Sequence, residues 1–157
     1  MSGILYVMIG FPGSGKTTIA KQAVDADPNN SVWVSRDEIR YTMVSDQEHY
    51  FDKESEVYNE YCKRISKYLY DGKDVYADAT HLTHGSRKKL LNKITVKPTK
   101  IIGIWVATPF NLCYARNAVR EGIVHVPDQS MYRMKNSFQA PSAKLDKFDI
   151  LVMARGY

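Results

Sequence analysis

Residues Gly10-Phe11-Pro12-Gly13-Ser14-Gly15-Lys16-Thr17-Thr18 decide how this chain folds. They follow directly on an apolar run, Ile4-Leu5-Tyr6-Val7-Met8-Ile9, and lead into Thr18-Ile19-Ala20-Lys21-Gln22-Ala23-Val24, which suits a helix. Strand, glycine loop and helix in that order are the context that a phosphate-binding loop requires. The glycines let backbone N–H groups turn inward without Cβ clashes, so an anion fits the nest at the helix N-terminus. Glycine, four residues and then Gly-Lys-Thr set Lys16 to reach the β and γ phosphates and the Thr17 hydroxyl to ligate Mg²⁺. Gly10, Pro12, Gly13, Ser14, Gly15, Lys16, Thr17 and Thr18 are therefore the expected contacts to ATP or another nucleoside triphosphate, with Thr17 as the metal ligand.

Working outward, apolar runs of strand length recur at 4–9, 31–35, 74–78, 100–106 and 148–153. Helical patterns lie between them. The longest, from about Asp52 to Tyr70, repeats Val57, Tyr58, Tyr61, Cys62, Ile65, Tyr68 and Leu69 at three- and four-residue spacings and stops at Gly72. Ser86 is expected to cap the next helix, a further one spans Pro109 to Gly122, and Pro127 opens another. Strands alternating with helices predict an α/β fold whose parallel sheet is covered on both faces. The ligand then lies beyond the C-terminal strand ends.

The 157 residues fit one domain, 1–157, with ordinary shares of hydrophobic and charged residues for a soluble protein. No apolar stretch approaches the length needed to cross a bilayer, and the N-terminus lacks a signal-peptide pattern. Cys62 and Cys113 fall inside apolar helical patterns and read as small core residues, which implies a reducing, cytoplasmic setting.

The formal net charge is +5, unevenly spread. From Ala79 to Arg120 no acidic residue occurs, while Arg87, Lys88, Lys89, Lys93, Lys97, Lys100, Arg116 and Arg120 do. Asp46, Glu48, Asp52, Glu54, Glu56 and Glu60 crowd a different region. A polyanionic substrate explains the basic stretch; a solvated lysine-rich helix explains Lys88 and Lys89 equally well.

A second constellation narrows the chemistry. The run Ser31-Val32-Trp33-Val34 ends in Ser35-Arg36-Asp37-Glu38-Ile39-Arg40. Asp37 is expected at the end of a strand adjacent to the phosphate loop, with Arg40 on the same helix face three residues on. A kinase acting on an alcohol needs a carboxylate that orients the hydroxyl and accepts its proton. It also needs a cation for the substrate's own phosphate. Asp37 and Arg40 suit those tasks, although a capping Asp with a surface Arg reads the same way in isolation.

Gly-x-Pro-Gly-Ser-Gly-Lys-Thr-Thr followed by Ser-Arg-Asp-Glu-x-Arg resembles the 5′-hydroxyl polynucleotide kinases. The resemblance continues in Ala77-Asp78-Ala79-Thr80-His81-Leu82, in Arg116-Asn117-Ala118-Val119-Arg120 and in Val126-Pro127 with Met131-Tyr132-Arg133-Met134, and so covers essentially the whole chain. It implies a three-layer P-loop fold of the nucleoside-monophosphate-kinase kind with a five-stranded parallel sheet. Lys16, Asp37, Arg40, Arg116 and Arg120 become the catalytic set, with Asp37 as general base. Arg116 and Arg120, one helical turn apart, belong to a lid over ATP at about 115–135. Arg36, Asp37, Arg40, Asp78, Thr80 and His81 would face the acceptor, the 5′-hydroxyl end of RNA or DNA.

Asp78 is Walker-B-like in position: it orders magnesium, holds Arg40 or caps a turn. His81 stands where the family carries Asn, and the Asp-x-Asp-Gly-Thr signature of an associated 3′-phosphatase does not occur. Only the kinase is therefore carried over. A small-metabolite or sugar-nucleotide kinase, or a nucleotide-dependent switch, are the other readings of this scaffold.

Overall fold

The computed structural model describes all residues 1–157. Five strands, β1 (Leu5–Ile9), β2 (Ser31–Ser35), β3 (Asp74–Asp78), β4 (Ile101–Val106) and β5 (Ile150–Ala154), form one sheet in the order β2-β3-β1-β4-β5. Every pairing is parallel. The helices are α1 (Lys16–Ala26), α2 (Arg36–Met43), α3 (Glu54–Tyr70), α4 (His84–Lys93), α5 (Phe110–Ala118) and α6 (Asp128–Ser137). A single 3-10 turn, Gly122–Val124, lies between the last two.

Side-chain alternation along β1 shows why helices cover both faces. Leu5, Val7 and Ile9 join Val75 and Ala77 of β3 and the buried stripe of α3 in the main core. Met8 turns the other way, onto Ala20 of α1 and Val106. A strand buried on both sides reads as a continuous apolar run, as 4–9 does. Gly103 of β4 makes room for the Phe148 ring, which a Cβ there would overlap. The result is a three-layer α/β fold with both cysteines buried. No helix is long and apolar enough to cross a membrane.

Three local expectations are corrected. β2 is not adjacent to the phosphate-loop strand, because β3 lies between β1 and β2. The first crossover therefore skips a position, and the next chain segment fills the gap. Thr83, not Ser86, caps α4; Ser86 is the reciprocal partner three residues in, its backbone N–H donating to the Thr83 hydroxyl at 3.0 Å. Finally, α5 ends at Ala118, so Arg120 sits in the turn beyond it.

Candidate active site

The chain leaves central β1 through the glycine loop and enters α1 with Gly15 in the left-handed region at φ 97°. Gly13, at φ 84°, faces the Cys113 carbonyl so closely that a Cβ would collide with it. Ser14 is fully buried, and its hydroxyl has no partner within the protein. Lys16 is only 6% exposed. An orphaned hydroxyl and a buried ammonium beside a nest of N–H groups fit the phosphates of a nucleotide. The cleft above them holds about 540 Å³ and is walled by Thr17, Thr18, Asp37, Arg116 and Arg120 among others. Arg155 and Gly156, beyond the end of β5, also line it, and neither is marked by any sequence motif. Gly156 passes under the loop so tightly that a Cβ would overlap the Ser14 carbonyl. The Thr108 hydroxyl donates to that carbonyl at 2.6 Å.

Asp78 closes β3 and is 3% exposed. Its Oδ2 accepts hydrogen bonds from the Thr17 hydroxyl at 2.7 Å and from the Trp33 indole at 2.9 Å. Of the roles open to it, holding Arg40 is not the one adopted. A hydroxyl beside a carboxylate on hard oxygen atoms suits Mg²⁺, with Thr17 and Asp78 as the residues that would hold it. Trp33, on β2, fixes the carboxylate's orientation. No group of three or more His, Cys, Asp or Glu side chains forms a metal cluster elsewhere.

Asp37 lies in the first turn of α2, which Ser35 caps by accepting from the Glu38 amide at 3.2 Å. It walls the nucleotide cleft and also a second, smaller cleft of about 160 Å³ bounded by Arg36, Arg40, Glu54 and Thr80. Pro12 is the other residue common to both. Arg40 donates to Asp37 through Nη1. Its other donors reach Glu54, Nε to Oε1 at 2.6 Å and Nη2 to Oε2 at 3.0 Å. Burial works against the Arg40 charge, but the Glu54 hydrogen bonds and the Asp37 charge raise its pKa above the ordinary value. Arg40 is thus an anchored residue that positions Asp37. Arg36 is freer: one Nη2 bond to Glu54 at 2.8 Å, and a buried Nε without a partner. Glu54, at the start of α3, organises both arginines, and its place in an acidic run disguises it in the sequence.

His81 does not line the Asp37–Arg40 cleft; it borders the adjoining one, which shares Arg36 and Thr80 with it. It is 5% exposed and turned into the core, with backbone φ 46°. Nδ1 lies 2.6 Å from the Met8 carbonyl and Nε2 lies 3.1 Å from the Tyr61 hydroxyl. The tautomer that satisfies both donates from Nδ1 and accepts at Nε2. Burial, opposed by that carbonyl, drives its pKa down to about 3. Thr80 lines the smaller cleft beside Asp37, and its carbonyl holds the Gly10 amide at 3.1 Å.

Arg116 donates through Nη1 to the Gly13 carbonyl at 3.0 Å, whereas Arg120 lines the cleft without such a tie. Between α5 and α6, the Asn117 side chain binds both backbone groups of Val126, at 2.8 Å and 3.0 Å. That pair of hydrogen bonds, one donated by the Asn117 amide and one accepted by it, staples the intervening turn. Arg87, expected among the surface cations, is fully buried and paired to Asp146 at 3.0 Å.

Several solved structures share this fold. A fungal RNA kinase superposes with a TM-score of 0.72 at 18% identity, covering 98% of this chain and 38% of its own. Kti12 of Chaetomium thermophilum, in complex with ADP-AlF3, gives 0.73 at 16% identity, covering 96% and 88%. A gluconokinase from Sinorhizobium meliloti 1021 gives 0.62 at 16%, covering 98% and 82%. The chain thus spans well under half of the RNA kinase, and at these identities the likeness is one of fold. No curated protein matches the chain by sequence. The model of the AAA domain family matches residues 5–141, and with its kinase-like P-loop architecture the chain belongs to that family.

Proposed function

We propose that the chain is an ATP-dependent kinase that transfers the γ-phosphoryl group to an alcohol, the 5′-hydroxyl end of RNA or DNA. The observation that carries this reading is the position of Asp37, whose side chain walls the nucleotide cleft and the Arg36–Arg40 cleft at once. A switch or simple binding module has no use for a carboxylate held between two such spaces. In the transfer, the acceptor hydroxyl donates its hydrogen bond to Asp37 and its oxygen attacks the γ phosphorus. The bond to the β–γ bridging oxygen breaks, and the proton passes to Asp37 late, as a loose transition state requires. Lys16 and Arg120 face the developing charge, while Arg40 fixes the base. Mg²⁺, when bound, neutralises phosphate oxygens. Arg36, with spare donors, is the acceptor-side cation for the substrate's own phosphate.

Transfer of labelled γ-phosphate to 5′-hydroxyl oligonucleotides, to sugars and nucleosides, and to water tests the proposal. Label should appear on the oligonucleotide 5′ end. Asp37→Asn should cut turnover by between about 10²- and 10⁴-fold while ATP affinity stays within about twofold. Label on sugars alone would move the chain to small-molecule kinases, and label in free phosphate alone would remove the acceptor altogether.

A further inference from the structure

Around the Tyr58 ring, three cations converge with no carboxylate to match them all. Arg36 Cζ lies 4.9 Å from the ring centroid, Lys89 Nζ 4.6 Å and Lys93 Nζ 5.7 Å. Arg36 shares Glu54 with Arg40. Lys88, Lys89 and Lys93 take part in none of the molecule's ion pairs. All three charges lie within about 6 Å of the centre of one ring, so like charge is concentrated there and they repel. The ring's π face returns only about 0.5–1 kcal/mol per exposed cation. An arrangement of this kind is relieved by an anion.

The clefts here are continuous with the acceptor cleft. Arg36 and Thr80 line both the acceptor cleft and its neighbour, whose lining also includes Tyr58, His81, Ser86 and Lys89. Lys89 then belongs also to the next depression, formed with Lys88, Asn92 and Lys93 along α4. Each space hands on to the next through a shared cation. Tyr58 itself is 8% exposed and covered by those cations, so it does not stack a base. It serves as a rigid floor that holds charges in a row. Such a row recognises repeated phosphates without reading sequence.

We propose that the acceptor is a polynucleotide strand whose 3′ portion leaves the acceptor cleft past Arg36 and Thr80 and runs along Lys89, Lys88 and Lys93 of α4, held by its phosphates. This rests on the kinase reading above and adds to it the surface that carries the rest of the strand. A sugar or nucleoside would fill the acceptor cleft and leave the α4 row unused.

The test measures acceptor KM for a nucleoside 3′-phosphate and for 5′-hydroxyl oligonucleotides of increasing length, across a salt series. Three proteins are compared: wild type, Lys89→Ala/Lys93→Ala, and Lys97→Ala/Lys100→Ala, which removes equal charge outside the row. For the wild type, KM should fall with length. The first double variant should lose that gain by on the order of tenfold, and its log–log salt slope should flatten by about 1.4, the share of two single-strand phosphate contacts. The second variant should keep the wild-type length dependence. Phosphorylation of oligonucleotides with no length dependence, or equal losses in both variants, overturns the α4 row and leaves the kinase reading standing. Failure of the wild type to phosphorylate any 5′-hydroxyl acceptor overturns both.

Discussion

Arg40 illustrates how little a residue's type says about its task. By spacing it suits a phosphate-binding arginine, yet its donors are taken by Glu54, Asp37 and Tyr50 before any substrate arrives. Glu54 lies fourteen positions along the chain, on another helix, so no local pattern joins it to Arg40. If Glu54 sets the arginine and the arginine sets the base, Glu54→Ala should lower kcat by about 10²-fold, the scale of a misplaced catalytic group. KM for ATP should hardly change, and steady-state kinetics in each substrate checks the split. His81 offers an independent residue-scale test. Below its ordinary value of 6.5 the unfolded chain takes up a proton that the buried ring, depressed to about 3, refuses. The unfolded state then binds more protons, so stability falls as pH drops through 6.5 and goes on falling to about 3. By pH 5 the loss attributable to His81 is roughly 2 kcal/mol. Urea titrations at neutral pH and at pH 5 should show that extra loss in the wild type and not in His81→Gln.

At the scale of elements, what was legible was whatever a short window carries. The phosphate loop, the five strands and the long α3 declared themselves by glycine spacing and by alternation of apolar residues. The strand order did not, since β3 slips between β1 and β2 only after the chain has passed beyond both. The end of α5 was also hidden. Val119 and Arg120 continue a helical pattern, but the Asn117 side chain turns back to bind Val126 and the helix stops at Ala118. The consequence is functional. Arg116, inside the helix, is tied to the Gly13 carbonyl, while Arg120, beyond it, stands free over the cleft. Arg120→Ala should therefore lower kcat by about 10³-fold, as for loss of an arginine that meets transition-state charge. Arg116→Ala should instead weaken ATP binding, because it releases the loop. Pre-steady-state transfer rates and nucleotide titrations distinguish the two; identical profiles would mean that both arginines do one job.

For the whole molecule, the least legible feature is what closes the structure on itself. Arg87 reads as one more cation in a basic helix. In the fold it is fully buried and donates to the His81 carbonyl at 2.8 Å, the Gln139 carbonyl at 2.7 Å and Asp146 at 3.0 Å. Asp146, 3% exposed, also lies 2.6 Å from His84 Nδ1 and accepts from the Ser142 amide at 2.9 Å. One ion pair thus joins the loop after β3, helix α4 and the segment that leads into edge strand β5. Through β5 it fixes Gly156 under the phosphate loop and, through α4, the row of lysines. Burial lowers the Arg87 pKa against the pull of Asp146, yet the guanidinium stays charged, so loss of Asp146 leaves that charge buried without its partner. Removing one partner should then cost about 3–5 kcal/mol, the penalty of a lone buried charge. At about 2–4 °C per kcal/mol for a chain of this size, Asp146→Ala should melt at least about 6 °C below the wild type. Replacing both partners, Arg87→Met with Asp146→Leu, should recover most of that loss, since an apolar pair removes both desolvation costs. Calorimetry on the single and double variants decides the point: a double variant no more stable than the single would show that the hydrogen bonds to Gln139 and His81, not the charge pair, hold the three segments together.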